Sequence, residues 1–375
     1  MVDVRIETTV LSPSGYAYAA RKMVLGLHEE GLDVHLQERK MDDLIIRLPA
    51  DQAAIFQDMF AKTSDKTVPY IRYGTPVVFD RSPPDHNRNI LMFVWELLDL
   101  PPLWKKELTL YDEFITNTKF CKDSIERAIT EKGPDARPIH IVPHGIDTSI
   151  FYPDKDKLFD FGDDFVFLAV GQWIKRKGFE ELVDAYLKEF TGDDKVVLML
   201  KTYGMDNNFS TMLGITNAIK TRTFQFKNKN PPKIVINGQM LTEPNMRRLY
   251  NSANAFILPS KGESWGLPYI QSMACGVPCI TQKFGGQLEY MNTKNSYIIK
   301  PETMDITDGK GPYDRNQGLY WAKPSIKNIR NIMRKVVDDV EGRKNKSVQG
   351  LKDVKKWTWK KAAKKLADVI TDDRG

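Results

Sequence analysis

This 375-residue chain predicts an α/β architecture of two doubly wound domains in tandem, on three observations. Short apolar runs bounded by turn residues alternate with segments of helical period, the pattern of parallel βαβ units. The series is interrupted at the polar, proline-punctuated stretch Phe151-Tyr152-Pro153-Asp154-Lys155-Asp156-Lys157, then begins again. The length is sufficient for two cores of ordinary size. The boundary sets an N-terminal domain at 1–155, a C-terminal domain at 156–356, and a last helix over about 357–372.

Residues 4–10 read as a first strand, leading through Ser12-Pro13-Ser14-Gly15 into a helix over 16–30 that Gly31 closes, with a strand at 32–36. Gly15 alone is no G-x-G-x-x-G fingerprint, so a dehydrogenase gains no support. Further buried strands are expected at 90–94, 113–116 and 139–142. Past the boundary, the six-residue run 165–170 is a strand, and Lys177-Gly178 opens a helix over 179–190. Runs at 196–200, 234–236 and 255–258 continue the series. Residues 204–232 between them read as an inserted segment, helical in part and ending in the turn-like Asn228-Lys229-Asn230-Pro231-Pro232.

The net charge of +6 sits in the tail. Residues 341–375 hold eleven Lys/Arg against five acids, leaving 44 of each in the remainder, which argues against a nucleic-acid-binding protein. No apolar run approaches the ~18 residues that cross a bilayer. The N-terminal residues lack the apolar core of a signal peptide. Cys121, Cys275 and Cys279 show no metal-ligand spacing, and a reduced, cytoplasmic setting is expected. The last helix repeats Trp359, Ala362, Ala363, Leu366, Val369 and Ile370 with lysines 360, 361, 364 and 365 opposite. That pattern suits a helix packed on the body, with peripheral membrane contact as the alternative.

The most informative stretch is Pro259-Ser260-Lys261-Gly262-Glu263-Ser264-Trp265-Gly266-Leu267-Pro268, followed by Met273-Ala274-Cys275-Gly276-Val277-Pro278. The apolar run 255–258 stops at Pro259, and a helix starts at Gly266-Leu267-Pro268, where proline's missing N–H has no partner to lose. Glu263 therefore sits on a loop at the carboxyl end of a strand, facing a helix N-terminus, which is where open α/β sheets bind phosphorylated ligands.

This stretch resembles the signature of family 4 (group 1) glycosyltransferases, with their GT-B fold. Val142-Pro143-His144-Gly145-Ile146-Asp147, Gly171-Gln172-Trp173-Ile174-Lys175-Arg176-Lys177-Gly178 and Gly285-Gly286-x-x-Glu289 extend the resemblance over most of 140–300. Before residue 140 it is loose, through Ser14-Gly15 and Trp95-Glu96…Pro101-x-x-Trp104. It implies two Rossmann-like domains facing each other across a cleft, with the last helix packed back on the first. It also implies retaining transfer of a hexose from a nucleotide-diphosphate sugar to a glycan, lipid or other hydroxyl acceptor, without cofactor or metal. An epimerase or phosphorylase on the same fold, and a nucleotide-sugar-binding protein without turnover, are the alternatives.

On that resemblance Glu263, Lys177 and Arg176 are the catalytic candidates. Lysine and arginine suit the negative charge that develops on a departing nucleoside diphosphate. Gly15, Gln172, Trp265, Gly266, Leu267 and Gln271 are the donor-binding candidates. Gln172 stands where the family usually has an arginine, so either Arg176 takes over that charge or stabilisation is weaker. Gln271 stands where the family has a second acid for the donor ribose, and glutamine keeps an acceptor without the charge. Glu96 and His144 are candidates for acceptor or sugar contact; Glu96 is equally well a helix-start carboxylate, and His144 a backbone-positioning residue. Asp154-Lys155-Asp156 is formally a D-x-D metal motif but lies in a linker, and is set aside.

Overall fold

A computed structural model describes residues 3–39, 45–76, 86–129, 136–204, 208–226 and 230–372. The chain forms two compact units, Met1–Gly145 with Trp357–Gly375, and Ile146–Lys356.

The first unit runs β1 (Asp3–Thr8), α1 (Gly15–Glu29), β2 (Asp33–Glu38), α2 (Ala50–Ala61), β3 (Tyr70–Tyr73), β4 (Asn89–Met92), α3 (Trp104–Leu108), β5 (Glu113–Thr116), α4 (Lys119–Ala128) and β6 (Ile139–Ile141). Its strands pair in the order β2-β1-β3-β4-β5-β6, all parallel. Parallel strands need crossovers, and the helices that supply them cover the sheet, so β3 and β5 are buried at every position. Ser14 caps α1 by accepting from Ala17 N at 3.2 Å.

The second unit runs β7 (Phe165–Gln172), α5 (Phe179–Glu189), β8 (Val196–Tyr203), α6 (Phe209–Gln225), β9 (Lys233–Asn237), α7 (Glu243–Asn251), β10 (Ala255–Leu258), α8 (Leu267–Ala274), β11 (Cys279–Gln282) and β12 (Ser296–Ile299). A hairpin of β13 (Pro301–Ile306) and β14 (Tyr320–Pro324) follows, then α9 (Ile326–Asp338) and α10 (Val340–Val354). The sheet order is β12-β11-β10-β7-β8-β9. From β7 the chain winds outward to β8 and β9, then returns across β7 to β10 and winds the other way. The order reverses between β7 and β10, the topological switch point where such sheets bind ligands beyond their carboxyl ends.

One expectation is corrected here. Residues 204–232 are no insertion, because α6 is the crossover that parallel pairing of β8 with β9 requires. The turn at 228–229 lies outside the described residues.

The last helix, α11 (Trp359–Thr371), belongs to the first unit. Trp359, Ala362, Ala363, Leu366, Ala367 and Ile370 are buried, and the four lysines stay exposed. It meets α1 at close range: a Cβ on Gly26 would lie 2.4 Å from Ala363 Cβ. The apolar stripe is thus covered within its own unit. Among the described residues no helix is long and apolar enough to cross a membrane.

Candidate functional site

Two loops leave the switch point, one after β7 and one after β10, and the backbone binds them together. Arg176 O accepts from Lys261 N at 2.7 Å and from Ser260 Oγ at 3.2 Å. The Arg176 guanidinium donates to Gly262 O at 2.6 Å, and Ser260 Oγ donates to the same oxygen at 2.9 Å. Two glycines permit close packing here, Gly178 between the two loops and Gly285 where the loop after β11 meets Glu263. Gly178 has φ +70°, and a Cβ there would lie 2.3 Å from Pro259 O. Gly285 has φ +113°, and a Cβ there would lie 2.7 Å from Glu263 O. Both positions demand a residue without a side chain.

The joined loops bring the three catalytic candidates together. Lys177 Nζ donates to Glu263 Oε1 at 2.6 Å, and Arg176 Nη1 lies 3.6 Å from Glu263 Oε2. Glu263 is 4% exposed. Burial pushes its carboxyl up, but the charges of Lys177 and Arg176 outweigh it and hold the group below its ordinary range. The result is a buried ionised carboxylate with two cations beside it, one positive charge in excess.

Helix α8 begins four residues beyond Glu263. Its first amides have no intrahelical acceptor and carry the positive end of the helix dipole. Gly266 precedes the helix at φ +76°, and Tyr290 Oη donates to Trp265 O at 2.7 Å and Gly266 O at 2.9 Å. The Trp265 ring packs against Tyr290 at 4.9 Å and is buried, which leaves backbone as the part of Trp265, Gly266 and Leu267 suited to a ligand.

Gln172 ends β7 in register with Tyr203, half-buried. Gln271 lies one turn into α8, also half-buried, and its Oε1 accepts from the Tyr250 hydroxyl of α7 at 2.9 Å. Glu96 and Gly15 are in the first unit, Gly15 as the first residue of α1 and Glu96 half-buried beyond β4. His144, also there, is 5% exposed. Its Nε2 is 3.1 Å from Tyr73 Oη and its ring 5.6 Å from that of Trp359. Burial pushes its pKa down to about 3, so the imidazole is neutral at physiological pH and suits positioning.

Asp154 meets Arg247 at 2.6 Å and Asp156 meets Arg248 at 2.9 Å, so both acids of the D-x-D engage arginines of α7. Among the described residues, His and carboxylate groups close enough to share a cation occur at Asp3, Asp33 and His35, at the amino ends of β1 and β2. Lys62 Nζ already pairs with Asp33 there at 2.6 Å. Lys261 was read only as part of the motif. It is 9% exposed, with Nζ 2.8 Å from Glu181 Oε1 and 4.8 Å from the Trp321 ring centre, and it ties the loop to α5 and the hairpin. Glu181 and Trp321 are distant in sequence, so no spacing reveals the contact.

Residues 153–308 match the family model described as glycosyl transferases group 1. Mannosylfructose-phosphate synthase of Agrobacterium fabrum is 28% identical over 192 residues, 48% of this chain and 40% of that protein. A probable sucrose-phosphate synthase of Thermosipho melanesiensis is 22% identical over 237 residues, 62% of this chain and 47% of that protein. These matches span less than half of the relatives' own lengths. Among solved structures, sucrose-phosphate synthase from Thermosynechococcus elongatus superposes with TM-score 0.72 at 16% identity, covering 98% of each chain. HepE of Anabaena, solved with UDP and glucose, superposes with TM-score 0.67 at 11% identity, covering 99% of this chain and 100% of that one. Over residues 153–308 the chain is therefore similar to group 1 glycosyltransferases, and its two α/β units have the GT-B fold.

Proposed function

We propose that the protein transfers a hexose from a nucleotide-diphosphate sugar to a hydroxyl acceptor, with retention of configuration and without a bound metal. The buried Lys177–Glu263 pair, with Arg176 beside it at the N-terminus of α8, is the observation that carries this reading. Leaving-group departure puts negative charge on the β-phosphate. Lys177, Arg176 and the first amides of α8 are preorganised positive groups in a site largely closed to water, where such groups act most strongly. When the diphosphate takes over Lys177, the Glu263 carboxylate becomes an acceptor for hydroxyls of the donor sugar.

The UDP in the HepE structure makes a uridine donor the first to test. Relatives named mannosylfructose-phosphate synthase and sucrose-phosphate synthase make a phosphorylated sugar a candidate acceptor beside a glycan or lipid. A binding protein without turnover is the second reading. It is favoured by Gln271, whose acceptor oxygen is already engaged by Tyr250.

A thermal-shift panel of UDP-, GDP-, ADP- and TDP-sugars tests the first reading, since a ligand bound only by the folded state raises the melting temperature. At least one donor should raise it, and Lys177→Ala should abolish the shift. The stabilising donor should then turn over in excess EDTA. No shift with any donor contradicts the site, and stabilisation without turnover selects the second reading.

A further inference from the structure

Two donors stand side by side at the carboxyl edge of the second sheet, outside the Lys177–Glu263 cluster. Lys201 is in β8 and Asn237 ends β9, and the two are direct partners in the strand register. In-register partners in a parallel pair point to one face, so the side chains are neighbours about 4.8 Å apart at the backbone. Both are more than nine-tenths buried.

Among the described residues the Lys201 ammonium makes no ion pair or hydrogen bond. Its ammonium lies 5.5 Å from the ring centre of Tyr203, two residues on along the same face. Burial lowers its pKa to about 8. The Asn237 side-chain oxygen accepts from Gln239 N at 2.9 Å, which fixes the amide orientation and leaves Nδ2 as a donor. A buried cation with no counter-charge destabilises a fold. Its retention at a ligand-binding edge points to a partner from outside the chain.

The strand order says which part of a ligand arrives there. Glu263 follows β10 and Lys177 follows β7; β8 and β9 come next outward. On the donor reading of that site, on which this inference rests, sugar lies at Glu263 and diphosphate at Lys177. The nucleoside then extends over β8 and β9. The diphosphate already has its cations, so Lys201 and Asn237 meet the base.

We propose that Lys201 and Asn237 read the nucleotide base by donating hydrogen bonds to its ring acceptors, and so select a carbonyl-bearing base, uracil or guanine, over adenine. Guanine presents O6 and N7 as adjacent acceptors, and uracil presents carbonyl oxygens. Adenine sets an amino donor beside N7, facing two donors. The Asn237 oxygen already accepts from Gln239 and keeps one lone pair, so the discrimination rests on the Lys201 ammonium, which has no acceptor to offer an amino group.

Calorimetric titration of UDP, GDP and ADP into the full chain tests this. UDP or GDP should bind at least about tenfold more tightly than ADP, the size of one hydrogen bond to a charged group. Lys201→Met, which keeps the apolar stem, should cut that preference to below about threefold while ADP affinity holds within about twofold. A wild-type preference for ADP, an equal loss for all three nucleotides, or no change overturns the inference. Lys177→Ala separates it from the reading beneath it. Loss of all three nucleotides in Lys177→Ala, with Lys201→Met silent, removes base reading alone, whereas binding unaffected by both removes the nucleotide site. If Lys201→Met does not fold, Asn237→Ser makes the same comparison.

Discussion

Lys177 Nζ lies 2.6 Å from Glu263 Oε1, across two loops joined through Arg176, Ser260 and Gly262. The residues are 86 positions apart in sequence, and each loop leaves a different side of the sheet's switch point. A carboxylate this buried is ionised because Lys177 and Arg176 hold it so. The pair therefore supports the fold as well as the proposed chemistry.

Breaking such a pair from one side leaves a buried charge with less compensation, at about 3 kcal/mol. Lys177→Met and Glu263→Gln should each lose stability of that order. The double variant should lose less than the sum by at least about 1 kcal/mol. Urea unfolding of the four proteins checks the coupling, and additivity within about 0.5 kcal/mol would show that the pair is not energetically joined.

Gly178 tests the joining of the loops. Alanine there must adopt φ +70° and place its Cβ 2.3 Å from Pro259 O, a backbone atom with little freedom to yield. Gly178→Ala should destabilise by about 2 kcal/mol or more and lower donor affinity with it. A melting temperature within a degree of wild type would mean that the loops separate at no cost.

Gln271 tests the proposed ribose contact. Burial holds the Tyr250 phenol well above its usual pKa, so Tyr250 stays a donor, and Gln271→Glu offers it a stronger acceptor. Stability should hold, donor affinity should rise or hold, and a 2′-deoxy donor should respond less. Lower stability with unchanged selectivity between ribose and deoxyribose would take Gln271 out of the site.

Glu113 in β5 accepts from Arg88 Nε at 2.7 Å and lies 2.8 Å from His140 Nε2. Arg88 also donates to the carbonyls of Val369 and Ile370 in α11, at 2.9 and 3.0 Å. Burial raises the Glu113 carboxyl, but His140 and Arg88 bring it down to about 2 from 4.5. A depressed carboxyl stabilises above its unfolded pKa and loses that contribution as pH falls through the folded one. Wild-type stability should therefore decline from about pH 5 to pH 2. Glu113→Gln should start roughly 2 kcal/mol lower and converge with wild type over that window. Urea midpoints across pH 2–7 check this, and a constant gap would contradict it.

The sequence signals that held were local. The run 255–258, Pro259, the Gly266-Leu267-Pro268 helix start and the Cys275-Gly276 stop fall where β10 and α8 begin and end. The positive φ of Gly276 is what that stop requires. Strand β3 is not legible because Tyr70-Ile71-Arg72-Tyr73 carries an arginine, buried here because Glu7 of β1 pairs with it at 3.0 Å and the Tyr70 and Tyr111 hydroxyls accept from it at 3.2 and 3.1 Å. The β13–β14 hairpin was missed because its strands are separated by a long loop with two short helical turns. The closure of Lys177 onto Glu263 and of Tyr250 onto Gln271 depends on strand order, which a motif does not carry.

The most direct test is steady-state turnover of the stabilising donor by wild type, Lys177→Ala and Glu263→Ala, each shown to be folded by its melting curve. Removing one charge-assisted contact to the transition state costs roughly 3 kcal/mol, so each variant should turn over about a hundredfold more slowly. Two folded variants that each keep more than about half of wild-type turnover would contradict the assignment of Lys177 and Glu263 to the reacting centre.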